Sequence, residues 1–206
     1  MIVMKFGGTS VEDAAAIDRA ACIVRERLPE KPVVVVSALA KVTDQLLAMA
    51  RAAGAGDRQK TLELSRVLRE RHYTVAGELL GTGVFTQFHS ELEGDFDGLD
   101  ELLRGLAAVG ELTPRSCDNV ASFGERMSSK IVAAAFTARE IAARLVDARE
   151  CILTDSHYTH AIPILDETND RTAARLKPVL DAGRVPVMGG FIAANAEGAT
   201  TTLDAR

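Results

Sequence analysis

Four consecutive valines, Val33 to Val36, follow Pro32 in the stretch KPVVVVSAL and constrain this 206-residue chain more than any other feature. A half-exposed strand alternates apolar and polar residues. An unbroken β-branched run belongs instead to a strand covered on both faces, as in a parallel sheet between two layers of helix. Neighbouring segments supply the rest of that architecture. Ile2 to Met4 reads as a short buried strand and Gly7-Gly8 as the turn after it. Ser10 to Leu28 then reads as a helix, with Thr9 or Ser10 as its cap and Ile17, Ala20, Ala21, Val24 and Leu28 at helical spacing.

Helical patterns continue over Val42–Ala53, Arg58–Gly81, Phe96–Val109 and Arg115–Glu140, the last with an interruption expected near Gly124. Residues 81–95 carry no clear period. Strands are expected at Ala142–Asp147, Cys151–Leu153, Ala161–Leu165 and Val185–Phe191, with a helix at Asn169–Leu180 and a glycine- and threonine-rich tail. Strands alternating with helices define a three-layer α/β domain with a largely parallel sheet.

Composition narrows the function. A net charge of −5, from 24 basic and 29 acidic residues, creates no field that would draw the chain to nucleic acid or anionic lipid. The absence of Trp also argues against base stacking. Neither a signal peptide nor a membrane span is recognisable, so a cytoplasmic protein is expected. Cys22, Cys117 and Cys151 are too scattered for a disulfide framework or a zinc pattern and read as buried thiols.

Ligands of open α/β sheets bind beyond the carboxyl ends of the strands. Four segments fall there: Lys5–Ser10, Ser37–Asp44, Asp147–Asp155 and Gly189–Thr202. In the first, Gly7 and Gly8 free backbone N–H groups to approach an anion, and Lys5 adds a mobile positive charge. The spacing is not that of a Walker A loop. In the second, Ser37 either closes a strand or faces a polar ligand, while Thr43 or Asp44 caps the next helix or, in the case of Thr43, joins that ligand site. Glu125, within SFGERMSS, is either a surface carboxylate or a partner for an ammonium group. His157 and His160 lack a third ligand nearby, so surface or hydrogen-bonding roles are expected and no metal site is assigned.

In their order along the chain, MKFGGTSV, SALAKVTDQLL, SFGERMSS, DAREC followed by TD, and VPVMGGFIAANAEGATTTL resemble the motifs of the aspartokinases, members of the amino-acid-kinase superfamily. The resemblance covers essentially the whole chain. It implies an ATP-dependent kinase that phosphorylates the β-carboxylate of L-aspartate to 4-phospho-L-aspartate, feeding lysine, threonine and methionine biosynthesis, with ATP and Mg²⁺ required by the complete enzyme. By the same resemblance Lys5 is the catalytic cation and Gly7, Gly8, Thr9 and Ser10 form the phosphate-handling loop. Ser37, Ala38, Thr43, Glu125 and Phe191 border the amino-acid substrate, with Glu125 on its ammonium group.

The family's last motif continues from the threonines into a glycine, an arginine, paired glycines and a Ser-Asp pair, whereas this chain reads TTTLDAR. Residues 1–206 therefore resemble the amino-terminal portion of the catalytic domain, without the nucleotide-binding half or regulatory ACT domains, and little activity is expected from them alone. Apolar faces normally covered by the missing half would favour a homodimer. An inactive ligand-binding or protein-interaction module, or a superfamily kinase acting on glutamate, carbamate or a nucleotide, are the alternatives.

Overall fold

The computed structural model describes residues 1–203. Its centre is a four-stranded, wholly parallel sheet in the order β1 (Ile2–Phe6), β2 (Pro32–Val36), β5 (Val185–Gly189), β3 (Ala143–Leu145). The valine run is β2, which pairs with a strand on each side, Val34 opposite both Met4 and Val187. Its alternate residues enter two different cores. Val34 and Val36 pack with α1 (Ala14–Glu26), α2 (Val42–Gly54), α3 (Arg58–Val109) and α4 (Pro114–Ala138). Val33 and Val35 pack on the opposite face with α5 (Ala148–Cys151) and α6 (Leu165–Asp181). Two apolar layers around one sheet are what an unalternated strand requires, and the three-layer α/β/α expectation holds. On the edge strand β1, Val3 is 67% exposed.

Several local expectations are corrected. Helix α1 is capped by Asp13, whose carboxylate accepts from the Ala16 amide at 2.7 Å; Thr9 and Ser10 lie earlier, in a short 3₁₀ turn, and Leu28 lies beyond the helix. Neither Thr43 nor Asp44 caps α2, because Lys41 precedes it in a left-handed conformation with φ 68°. Helix α4 runs through Gly124 without a break. Cys151 ends α5 instead of opening a strand, and Ala161–Leu165 makes only isolated bridges. Of the thiols, Cys151 is buried but Cys22 is exposed.

The chain also leaves the main sheet earlier than expected. After Gly189, Phe191 takes φ 64°, a conformation costly for a side-chain-bearing residue, and turns the backbone into a second sheet. There β6 (Ile192–Asn195) pairs in parallel with β4 (Leu153–Thr154) and antiparallel with β7 (Thr200–Thr202). The threonine-rich tail is thus a strand. Among the described residues no helix is long and apolar enough to cross a membrane.

Residues 81–95 prove helical, and their ambiguity has a cause. Helix α3 comprises two arms that meet at Gly81, whose φ 65° and ψ 164° are non-helical. The arms fold back on each other: Ser65 donates to Asp100 at 3.0 Å, Arg69 holds Asp100 and Glu93, and Tyr73 stacks on His89 with centroids 4.6 Å apart. Side chains with a Cβ avoid this backbone region. Gly81→Ala should therefore lower stability in urea unfolding by about 1–3 kcal/mol. Gly77→Ala, one turn earlier in open helical surroundings, should raise it by about 0.5–1 kcal/mol.

Candidate active site

Beyond the carboxyl ends of β1, β2 and β5 lies a cavity of about 600 Å³. Lys5, Gly8, Ser37, Ala38, Thr43, Glu125 and Phe191 line it, so three of the four segments singled out in the sequence converge here with the middle of α4. Gly7, Thr9 and Ser10 belong to the same opening turn but do not line the cavity. The fourth segment goes elsewhere. Asp147 and Arg149 form a bidentate pair beside a separate, smaller cavity that also takes Arg126 and Lys130. His157 pairs with Asp155 at 2.8 Å on the surface. Among the described residues no group of three His, Cys, Asp or Glu side chains stands close enough to hold a metal. The departure of the sequence at Asp204–Arg206 lies outside the described residues.

The walls are held by close backbone approaches. A Cβ on Gly8 would stand 3.2 Å from the Ala38 carbonyl oxygen, a tight contact, so glycine lets the first loop lie close against the second. On α4, a Cβ at Gly124 would meet the Ala38 Cβ at 2.8 Å; on β5, one at Gly189 would meet the Glu125 Cβ at 2.9 Å. The helix therefore packs directly beneath the second loop and the end of β5. Hydrogen bonds fix the register: Ser37 donates its amide to the Phe6 carbonyl at 3.0 Å, and Ser128 donates its hydroxyl to the Ser37 carbonyl at 2.7 Å.

These contacts leave Glu125 in an unusual state. It is 3% exposed and lines the cavity. One carboxylate oxygen accepts from the Ala38 amide at 3.3 Å; the other has no partner. Burial raises its pKa to about 7, despite the opposing effect of backbone amide donors. An unsatisfied buried carboxylate with cationic Lys5 and Lys41 on the same cavity suits a ligand carrying both an ammonium and an anionic group. Arg126, its neighbour in sequence, points away, over the Phe123 ring at 4.2 Å and toward Asp95.

Sequence reasoning missed Lys41, Leu203 and the wall-forming roles of Gly124, Gly189 and Ser128. It also missed Asp118, seven residues before Glu125 and therefore on the same face of α4, 1% exposed. A charged pair at that spacing in a helix otherwise rich in Val, Ala, Ile and Phe was the available signal.

A parallel α/β sheet with a polar cavity at its carboxyl edge defines a small-molecule-binding domain. The model of the amino acid kinase family matches residues 1–205, and the chain belongs to that family. Its sequence is 38% identical over 194 residues to the chloroplastic aspartokinase 3 of Arabidopsis thaliana, covering 92% of this chain and 34% of that protein. It is 30% identical over 203 residues to the lysine-sensitive aspartokinase 3 of Escherichia coli, covering 98% of this chain and 43% of that one. The structure of E. coli aspartokinase III in complex with aspartate and ADP superposes with a TM-score of 0.89 at 28% identity, over 98% of this chain and 43% of that one. The chain thus spans well under half the length of these relatives.

Glu125 gives the site a pH signature. With its folded pKa near 7 and its ordinary value 4.5, the folded state holds the proton more tightly, so its contribution to stability is present below pH 4.5 and lost as pH rises through 7. Buried His72, lowered to about 4 by desolvation, acts in the opposite sense, its contribution being lost as pH falls from 6.5 toward 4. The informative quantity is therefore a difference. Glu125→Gln should gain on wild type as pH rises from 5 to 8, by up to roughly 3 kcal/mol in urea unfolding. A pH-independent difference would show that Glu125 titrates normally.

Proposed function

We propose that this chain forms the amino-acid-binding part of an aspartate kinase, which transfers the γ-phosphoryl group of ATP to the β-carboxylate of L-aspartate. The observation that carries this reading is the unpartnered oxygen of buried Glu125. An α-ammonium group bound there would supply the missing partner and hold Glu125 ionised at neutral pH. The carboxylates of the ligand would then face the cationic and amide-rich side of the cavity, where Lys5, Gly8, Ser37 and Thr43 stand. The aspartate bound by the E. coli structure supports the choice of amino acid.

The chemistry asks little of a base. A β-carboxylate is already ionised at pH 7, and the barrier lies in bringing it in line with an anionic phosphoryl group. Lys5 stands at the carboxyl end of β1, with a flexible stem and a point charge. Its role is to neutralise phosphoryl oxygens as transfer proceeds, with Gly7, Gly8, Thr9 and Ser10 as the accompanying phosphate loop. ATP brings the phosphoryl group, and Mg²⁺ accompanies its phosphates in the complete enzyme. The product is an acyl phosphate, a reactive class whose consumer must reduce it or displace its phosphate; lysine, threonine and methionine synthesis are the proposed destinations.

Calorimetry separates this reading from an inherited but idle scaffold. The chain should bind L-aspartate, and succinate, which lacks the ammonium group, about tenfold or more weakly. Glu125→Gln should remove most of that preference. Equal affinity for the two ligands, or no binding of either, would reject the assignment. In an active full-length enzyme carrying this lobe, Lys5→Met should lower kcat by roughly 10²–10³-fold with a smaller change in the KM for aspartate.

A further inference from the structure

Helix α4 carries two buried carboxylates on one face, and their environments differ. Glu125 has an oxygen without a partner. Asp118, two turns earlier, is saturated. It accepts from the Thr159 amide at 2.9 and 3.1 Å, from the Thr202 amide at 3.1 Å and from the Thr202 hydroxyl at 2.6 Å. These donors come from segments 41 and 84 residues away, both part of the second sheet or the loop beside it.

Thr202 is the junction through which this matters. Its carbonyl accepts from the Ala161 amide at 3.0 Å, and within β7 it stands opposite Ile192. The next residue, Leu203, donates its amide to the Phe191 carbonyl at 2.8 Å. Leu203 and Phe191 both line the Glu125 cavity. Phe191 holds its left-handed backbone there, a conformation that persists only when its surroundings impose it. The second sheet meets α4 mainly through β7, and the only charged side chain of α4 bonded to that strand is Asp118, among the described residues.

We propose that Asp118 is a positioning residue: by clamping Thr159 and Thr202 to α4, it fixes the wall that Phe191 and Leu203 contribute to the cavity of Glu125 and so sets how closed that cavity is. Asp118 touches no reacting group and lies outside the cavity lining. A carboxylate is required because all its contacts are donors. Asn at this position would present an NH₂ group to at least one of them, which leaves a buried donor facing a donor. The part of this inference that concerns ligand affinity rests on the aspartate reading; the part that concerns the wall does not.

The experiment uses Asp118→Asn with a gentler pair, Thr202→Val, which deletes only the hydroxyl bond, and Thr202→Ser, which keeps it. Amide hydrogen exchange on the chain without ligand reads the wall. In Asp118→Asn and Thr202→Val, residues 191–203 should exchange roughly tenfold or more faster, while β2, β5 and the amides of α4 keep their protection and Thr202→Ser matches wild type. Carboxyl NMR of Glu125 reads the closure, in a cavity whose other charged lining groups are Lys5, Lys41 and Asp44. Its titration midpoint should fall from about 7 toward 4.5 as water gains access in the two loosened variants.

Protection lost equally throughout Thr202→Val would make the clamp a general stability element and overturn the proposal. So would unchanged protection at residues 191–203, or a Glu125 midpoint that does not move. L-aspartate calorimetry adds the last arm, with affinity expected to drop about tenfold in Asp118→Asn. A wild-type chain that fails to bind L-aspartate would sink the functional reading while leaving the exchange and titration results to judge the clamp. Binding by wild type and Asp118→Asn with equal affinity would sink the clamp's role in recognition alone.

Discussion

The site depends on how closely α4 approaches the carboxyl edge of the parallel sheet. Gly124 and Gly189 are the points of contact, with no room for a Cβ at either. That approach carries Glu125 beneath the second loop, where the Ala38 amide reaches one of its oxygens. Moving the helix outward by the thickness of a methyl group would hydrate the carboxylate and separate Ser128 from the Ser37 carbonyl. The polar loops thus owe their arrangement to the apolar packing that seats the helix, with Phe136, Ile131 and Met127 fully buried in the core it shares with α1, α2 and α3.

Such an arrangement is not the most stable one for this chain. A carboxylate held at 3% exposure with an oxygen unpaired opposes folding at neutral pH. Lys41 and Phe191 add left-handed backbone, each costing on the order of 1–3 kcal/mol, and both stand on the cavity. The surrounding layers supply the compensation, through two apolar cores and a sheet with no polar interruption in β2. Left-handed backbone also occurs at Lys31, Glu140 and Thr159. Among the described residues, only at this cavity do two such residues stand with a buried carboxylate oxygen that lacks a partner, and strain combined in that way marks a place arranged for a ligand.

What the sequence disclosed follows from which forces are local. The valine run announced a doubly covered strand because burial on both faces leaves a compositional trace in five residues. Lys5 and Ser37 were legible because polar groups at the ends of apolar strands fall at the sheet's carboxyl edge whatever the helices do. Thr43 and Glu125 lie inside α2 and α4, and it was the family resemblance that pointed to them. The second sheet was not legible: β4 and β7 are two and three residues long, and their pairing is decided by the Phe191 turn and by Asp118 far away in sequence. Caps failed for a related reason. Thr9, Ser10, Thr43 and Asp44 are all competent capping residues, and the choice among them, Asp13 and Lys41 was made by where the loops had to meet. Gly124 misled because glycine in a helix reads as weakness, whereas here its missing Cβ is what the packing uses.

The two carboxylates of α4 show why residue type alone could not separate support from chemistry. Asp118 and Glu125 are both buried, both acidic and on the same helical face. Asp118 faces two backbone amides and a hydroxyl, which satisfy it within the fold; nothing further is gained by bringing it a cation. Glu125 faces one amide at 3.3 Å and an open cavity, so its charge is only partly compensated and a ligand can complete it. In a buried environment that difference in donor count is what leaves Glu125, its pKa raised to about 7 by burial, open to completion by a ligand cation. The smaller Asp147–Arg149 cavity obeys the same rule from the other side. There, against the opposing effect of burial, a guanidinium fork holds the carboxylate's pKa below the usual range, and its charge is already compensated within the segment that looked like a fourth ligand loop.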